Sequence, residues 1–145
     1  MLTRYLKRGN ILLNATNNNY RELLSTMLAK SAVTDISGII DKIFEREKIM
    51  PTALGKGIFL PRVILNNIER TEILIMVNHD GIVFDDYGTT VANVVMLLLL
   101  SKRDDYTTLL AQCLRLLNDD CLRSDLLHCR KVEDVIKTIR DWEEE

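Results

Sequence analysis

Two histidines (His79, His128), three cysteines (Cys113, Cys121, Cys129) and the adjacent acids Asp85 and Asp86 are the groups in this 145-residue chain best suited to covalent or metal chemistry. Neither histidine has a Ser, Cys or carboxylate partner at a recognisable catalytic spacing, so both read as structural. His79 falls in a predicted turn and His128 near a helix C-terminus, where positive charge suits the helix dipole. An odd number of cysteines with no close CxxC pair argues against a disulfide framework and a zinc ribbon. The three are expected to be reduced, small buried hydrophobes in a cytoplasmic protein. Asp85 and Asp86 beside Tyr87 and Gly88 read as turn chemistry, and residues 143–145, all Glu, as a frayed, solvated terminus. With no G-x-x-x-x-G-K-S/T, G-x-G-x-x-G or H-E-x-x-H motif, no cofactor or metal is expected.

The elements that position these groups follow from periodicity. Tyr20, Leu23, Leu24, Met27 and Leu28 mark one face of a first helix. Asp35 caps a second, in which Ile36, Ile39, Ile40, Ile43 and Phe44 share a face. Pro51 disfavours helical geometry in the residue before it, so this helix ends near Met50. Three β-type runs follow at residues 57–60, 73–79 and 82–84, the last two predicting a hairpin through Asn78, His79, Asp80 and Gly81. Residues 94–100, apolar on both alternating faces, predict a central strand covered by helices on each side. Helices return around Leu109 to Leu117, entered through Asp104 and Asp105, then around Leu122 to Leu127 and Val132 to Ile139, with residues 118–120 breaking the first from the second. This order predicts one α/β domain over residues 1–145, a mixed β-sheet sandwiched between helices. Lys plus Arg number 19 against 21 for Asp plus Glu, which leaves no broad basic face for nucleic acid. No signal-peptide core is visible, and the longest apolar run is too short for membrane insertion.

Between the second helix and the first of these β runs stands Glu45-Arg46-Glu47-Lys48-Ile49-Met50-Pro51-Thr52-Ala53-Leu54-Gly55-Lys56-Gly57-Ile58-Phe59-Leu60-Pro61-Arg62. This stretch resembles the signature of type 2 enzyme IIA of the bacterial sugar phosphotransferase system, the mannitol, fructose and nitrogen-regulatory family. There a D/E-R-E-K/R helix end is followed by P/S-T-x-x-G-x-x-I-A-h-P-H, with h apolar and the final His accepting the phosphoryl group. Val83-Phe84-Asp85 resembles the family's I/V-x-F strand, and residues 117–127 its L-x-D-D/E-x-x-x-x-x-L pattern. The resemblance runs from about Tyr20 nearly to the C-terminus and implies an enzyme IIA mannitol/fructose-like fold.

Two departures shape the functional expectation. Arg62 stands where the family has its acceptor histidine, and Tyr106 where the sugar-specific branch has a second one. Phosphohistidine needs a neutral imidazole lone pair, available because the reference pKa is about 6.5. A guanidinium, with a pKa above about 12, has donors but no nucleophile. Catalytic residues are therefore expected to be absent. An anion-binding set of Arg46, Gly55, Gly57 and Arg62 remains open, the arginines clamping phosphate oxygens and the glycines admitting a close backbone approach. The alternative is that Arg46 and Arg62 are surface charge paired off by Glu45 and Glu47. The resemblance implies a regulatory domain acting by docking on a protein (a phosphotransferase component, a transporter or a sensor kinase) or by sensing a small anion. Other readings are an active phosphotransferase component with an acceptor such as His79, and a dimerisation module.

Overall fold

The computed structural model describes residues 2–17, 19–84, 86 and 90–145. Its organising element is β6 (Val91–Ser101), buried almost throughout. An apolar strand of this kind must be covered on both faces and paired on both edges. On one edge lies β5 (Glu72–Val83), antiparallel, and beyond it β1 (Ile11–Leu13), parallel to β5. The other edge carries two short strands in succession, β3 (Ile58–Phe59) beside Val94 and Val95 and β4 (Arg62–Leu65) beside Leu98 to Ser101, both parallel to β6. β2 (Ala53–Gly55) pairs antiparallel with β3.

Side chains on the two sheet faces enter separate cores, as the two-residue strand period requires. Leu74, Met76, Val95, Leu97 and Leu99 pack under α1 (Tyr20–Leu28) and α2 (Ile36–Ile49). Ile73, Ile75, Met96, Leu98 and Leu100 pack under α3 (Tyr106–Leu117), α4 (Asp120–Leu127) and α5 (Val132–Glu143). The predicted mixed sheet between helical layers is therefore the observed architecture. Asp35 caps α2 as expected, accepting from Gly38 N at 3.1 Å, and of the two acids expected at the entrance of α3 it is Asp105 that caps it, accepting from Thr108 N at 3.2 Å, while Asp104 accepts from Thr71 N. No helix of the described residues is long and apolar enough to cross a membrane.

Several expectations are corrected. Residues 78–81 do not turn a hairpin. β5 continues through them to Val83, and its register on β6 slips between Val77, opposite Val94, and Ile82, opposite Ala92. Four residues of β5 thus face Asn93 alone, an enlarged bulge beyond the usual two against one. Asn93 Nδ2 donates to the carbonyls of Asn78 and His79 at 3.1 and 3.3 Å, and Asn78 Oδ1 accepts from Asp80 N and Gly81 N. The turn-forming residues are real, but β6 supplies the pairing that keeps the strand going. β1, β2 and β4 were not foreseen, being three or four residues each. Of the cysteines, all free, only Cys113 is buried; Cys121 is exposed and Cys129 half-buried. Glu143 is tied down, accepting from Leu2 N at 2.6 Å and Thr3 N at 2.9 Å, so the two chain ends are joined. The expected turn at Asp85, Tyr87 and Gly88 lies outside the described residues. Asp86 is described, and it accepts from Tyr20 N and Arg21 N at 2.6 and 3.1 Å, neutralising the N-terminus of α1.

Burial pushes the Cys113 thiol up to about 12, with Glu143 adding to the effect. Only the thiolate alkylates readily. Iodoacetamide at pH 8 is expected to modify Cys121 first, Cys129 more slowly because burial raises its pKa too, and Cys113 at least about a hundredfold more slowly than Cys121 until the protein unfolds. Peptide mass spectrometry over a time course checks the order.

Candidate functional site

The stretch from α2 to β4 is held by one buried carboxylate. Glu47, in the last turn of α2, accepts from Thr52 N at 2.8 Å, from Thr52 Oγ1 and from the Tyr20 hydroxyl at 3.4 Å. Thr52 in turn accepts from Leu60 N at 2.9 Å through its carbonyl, which seats β3. Beneath this contact the Tyr20 ring packs on Phe44, Phe59 and Phe84 with centroids 5.2–5.6 Å apart. Pro61 then interrupts the strand. It has no N–H to donate, yet its carbonyl accepts from Leu98 N at 2.9 Å. The chain therefore stays against β6, and Arg62 opens β4, an outer strand, opposite Leu98.

Arg62 there lines a cleft of about 400 Å³ together with Lys42, Arg46, Val63, Ile64, Leu100, Tyr106 and Leu110. Lys42 and Arg46 are one helical turn apart on α2, so both project from the same face. Tyr106 is the first residue of α3, whose positive N-terminal end adds to the potential. No ion pair joins Lys42, Arg46 or Arg62 to an acid among the described residues. The alternative, ion pairing of the arginines with Glu45 and Glu47, is thus not found among the described residues, and Glu47 accepts hydrogen bonds from Thr52 and Tyr20. Burial, and next the neighbouring Arg46, hold the Arg62 guanidinium below its ordinary value, while Glu47 pulls it back up. Because an arginine keeps its proton in proteins, the shift reflects positive charge that is partly desolvated, crowded by Arg46 and only partly offset by Glu47.

Of the positions singled out from the sequence, Arg46, Arg62 and Tyr106 meet at this cleft. Gly55 and Gly57 do not line it. They form the β2–β3 turn with Lys56, all three at positive φ of 83°, 57° and 76°, and a Cβ on Gly57 would run into the Asn93 side chain. His79 lies elsewhere, exposed on the β5 bulge. Lys42 and the 42% exposed Ile64 are cleft residues that sequence reasoning missed. The one available signal was the four-residue spacing of Lys42 from Arg46. Among the described residues no group of three or more His, Cys, Asp or Glu could hold a metal ion.

Comparison with known proteins agrees with the fold. The family model for the phosphoenolpyruvate-dependent sugar phosphotransferase system, EIIA 2, matches residues 4–142, and the chain belongs to that family. Among solved structures the fold is similar to nitrogen regulatory protein IIA-Ntr from Neisseria meningitidis (TM-score 0.79, 16% identity, 95% of this chain and 98% of that one). It is similar also to IIA mannitol from Escherichia coli (0.73, 19%, 92% and 98%). A third similar structure is the complex of enzyme IIA mannitol with phosphorylated enzyme IIB mannitol from Escherichia coli (0.70, 19%, 94% and 97%). At these identities the likeness shows a shared fold. No curated protein matches the sequence.

Two substitutions with opposite signs test the geometry. Glu47→Ala strands the Thr52 donors in a buried site and is expected to cost about 2–3 kcal/mol of unfolding free energy in urea. Arg62→Met keeps the aliphatic stem but removes a partly desolvated charge beside Arg46, and it should leave stability within about 0.5 kcal/mol of the parent or raise it. A loss above about 1.5 kcal/mol on Arg62→Met would mean that the guanidinium has a structural counter-ion.

Proposed function

We propose that this domain keeps the enzyme IIA architecture as a regulatory binding module, without phosphoryl relay. The observation that carries the reading is Arg62, a side chain with no lone pair to attack phosphorus, set in one cleft with Lys42 and Arg46, for which the described residues supply no ion-pair partner. A dianionic phosphoryl group supplies the missing counter-charge, and two guanidinium forks suit its oxygens. Such a group arrives as a small phosphorylated ligand or on a protein partner. The protein reading is favoured by Ile49 and Met50, 87% and 59% exposed, which follow Arg46 by three and four residues at the end of α2. Apolar anchors beside a charged pocket are the anatomy of a docking surface. The related IIA mannitol in complex with phosphorylated IIB mannitol supplies a precedent for a phosphorylated partner. On this reading the partner is a phosphotransferase component, a transporter or a sensor kinase, the compartment is the reducing cytoplasm that suits three free thiols, and the output is regulatory, as in the nitrogen branch.

Inorganic phosphate at constant ionic strength is expected to raise the melting temperature of the parent and to leave that of Arg62→Ala unchanged. An equal rise in both would defeat the reading. Incubated with a phosphocarrier protein and labelled phosphoenolpyruvate, the parent should take no acid-labile label, and Arg62→His should take some, since the cleft around the acceptor position is kept. Label on His79 of the parent would establish the active-component alternative.

A further inference from the structure

The only two histidines of the chain, 49 positions apart in sequence, meet on the surface. His79 stands on the β5 bulge and His128 caps the C-terminus of α4, with ring centroids 5.5 Å apart and planes inclined at 70°. Both are exposed. Each ring also has its Nδ1 engaged by an oxygen that can only accept: the Ser124 carbonyl at 2.7 Å from His128 Nδ1, and Asp80 Oδ1 at 3.4 Å from His79 Nδ1. Those partners place the ring hydrogen on Nδ1 in both residues. Nε2 is thereby left as the lone-pair nitrogen on each ring, the tautomer that outer carbonyl and carboxylate partners fix in metal-ligating histidines.

We propose that His79 and His128 form a two-imidazole site for a late first-row divalent cation, Cu²⁺ or Ni²⁺ ahead of Zn²⁺. The spacing fits. A metal–nitrogen distance of about 2.1 Å plus about 1.1 Å from nitrogen to ring centre puts the ion about 3.2 Å from each centroid, so rings 5.5 Å apart subtend about 120° at a shared ion. Imidazole nitrogen suits these metals, and affinity peaks at Cu²⁺. With no third protein ligand grouped there among the described residues, water completes the coordination. The site is open and exchangeable, unlike a closed four-ligand zinc centre. It is separate from the Arg62 cleft, and a bound ion ties the bulge of β5 to the end of α4.

Titration of the full chain without any histidine tag, with CuCl₂ and NiCl₂ followed calorimetrically, tests this. One ion per chain is expected, with His79→Ala and His128→Ala each weakening the affinity at least about tenfold. The Cu²⁺-bound parent should show paramagnetic-resonance hyperfine structure from two nitrogens, and the ion should raise the melting temperature of the parent but not of either variant. Both side chains are exposed, so the variants keep the fold, which circular dichroism verifies. Absence of saturable binding overturns the proposal. So does binding that survives both substitutions, which would put the ion on the thiols of Cys121 or Cys129.

Discussion

Two guanidinium groups and an ammonium group face one cleft, and the described part of the fold brings no acid within ion-pairing distance of them. Like charges held together beside a sheet edge cost free energy that increases as water is removed. Arg62 reflects this cost in a guanidinium disfavoured first by burial and then by Arg46, with Glu47 offsetting part of it. A site that carries such a cost in the absence of ligand has that much to gain when an anion enters. On the proposed reading, that potential is what links the fold of this domain to a binding role.

Ordinary packing keeps the cations where they are. β6 is clamped on both edges and covered on both faces, so it serves as a fixed rail, and β3 and β4 run along it as one strand broken at Pro61. The break matters because it places residue 62, half-buried, at the start of a new strand beside the N-terminal end of α3. Glu47 and Thr52 fix the approach from α2, and the rings of Tyr20, Phe44, Phe59 and Phe84 back that contact. A carboxylate in the signature thus does structural service while the arginines on either side of it in sequence stay available for a ligand.

Much of this architecture could be read in advance because the relevant residues repeat with a helical or a two-sided apolar period. Tyr20 to Leu28, the Asp35 and Asp105 caps, the stop before Pro51 and the central strand are local signals, and local signals survive folding. What escaped was non-local. Three or four residues at 11–13 and 62–65 have no period of their own and become strands only when β5 and β6 offer an edge. Asn78, Asp80 and Gly81 carry hairpin chemistry, yet whether they turn the chain or bulge it depends on Asn93, fifteen positions after Asn78, filling the gap. Burial of the cysteines and the tethering of Glu143 were misjudged for the same reason. At the cleft, Arg46, Arg62 and Tyr106 were legible through resemblance to a known signature. The share of Lys42 and Ile64 in the cleft wall, and the service of Gly55 and Gly57 in a turn, emerged from the fold.

The central claim, a cationic cleft that binds a phosphoryl group without accepting it, is tested most directly by following the arginine Nε–Hε resonances during titration with inorganic phosphate, chloride being exchanged to hold ionic strength. The account predicts that the Arg46 and Arg62 signals move together and saturate on a single binding curve, while Arg115 and Arg123, on α3 and α4 and not lining the cleft, stay in place. Still signals at Arg46 and Arg62, or shifts of similar size at all four arginines, would contradict it.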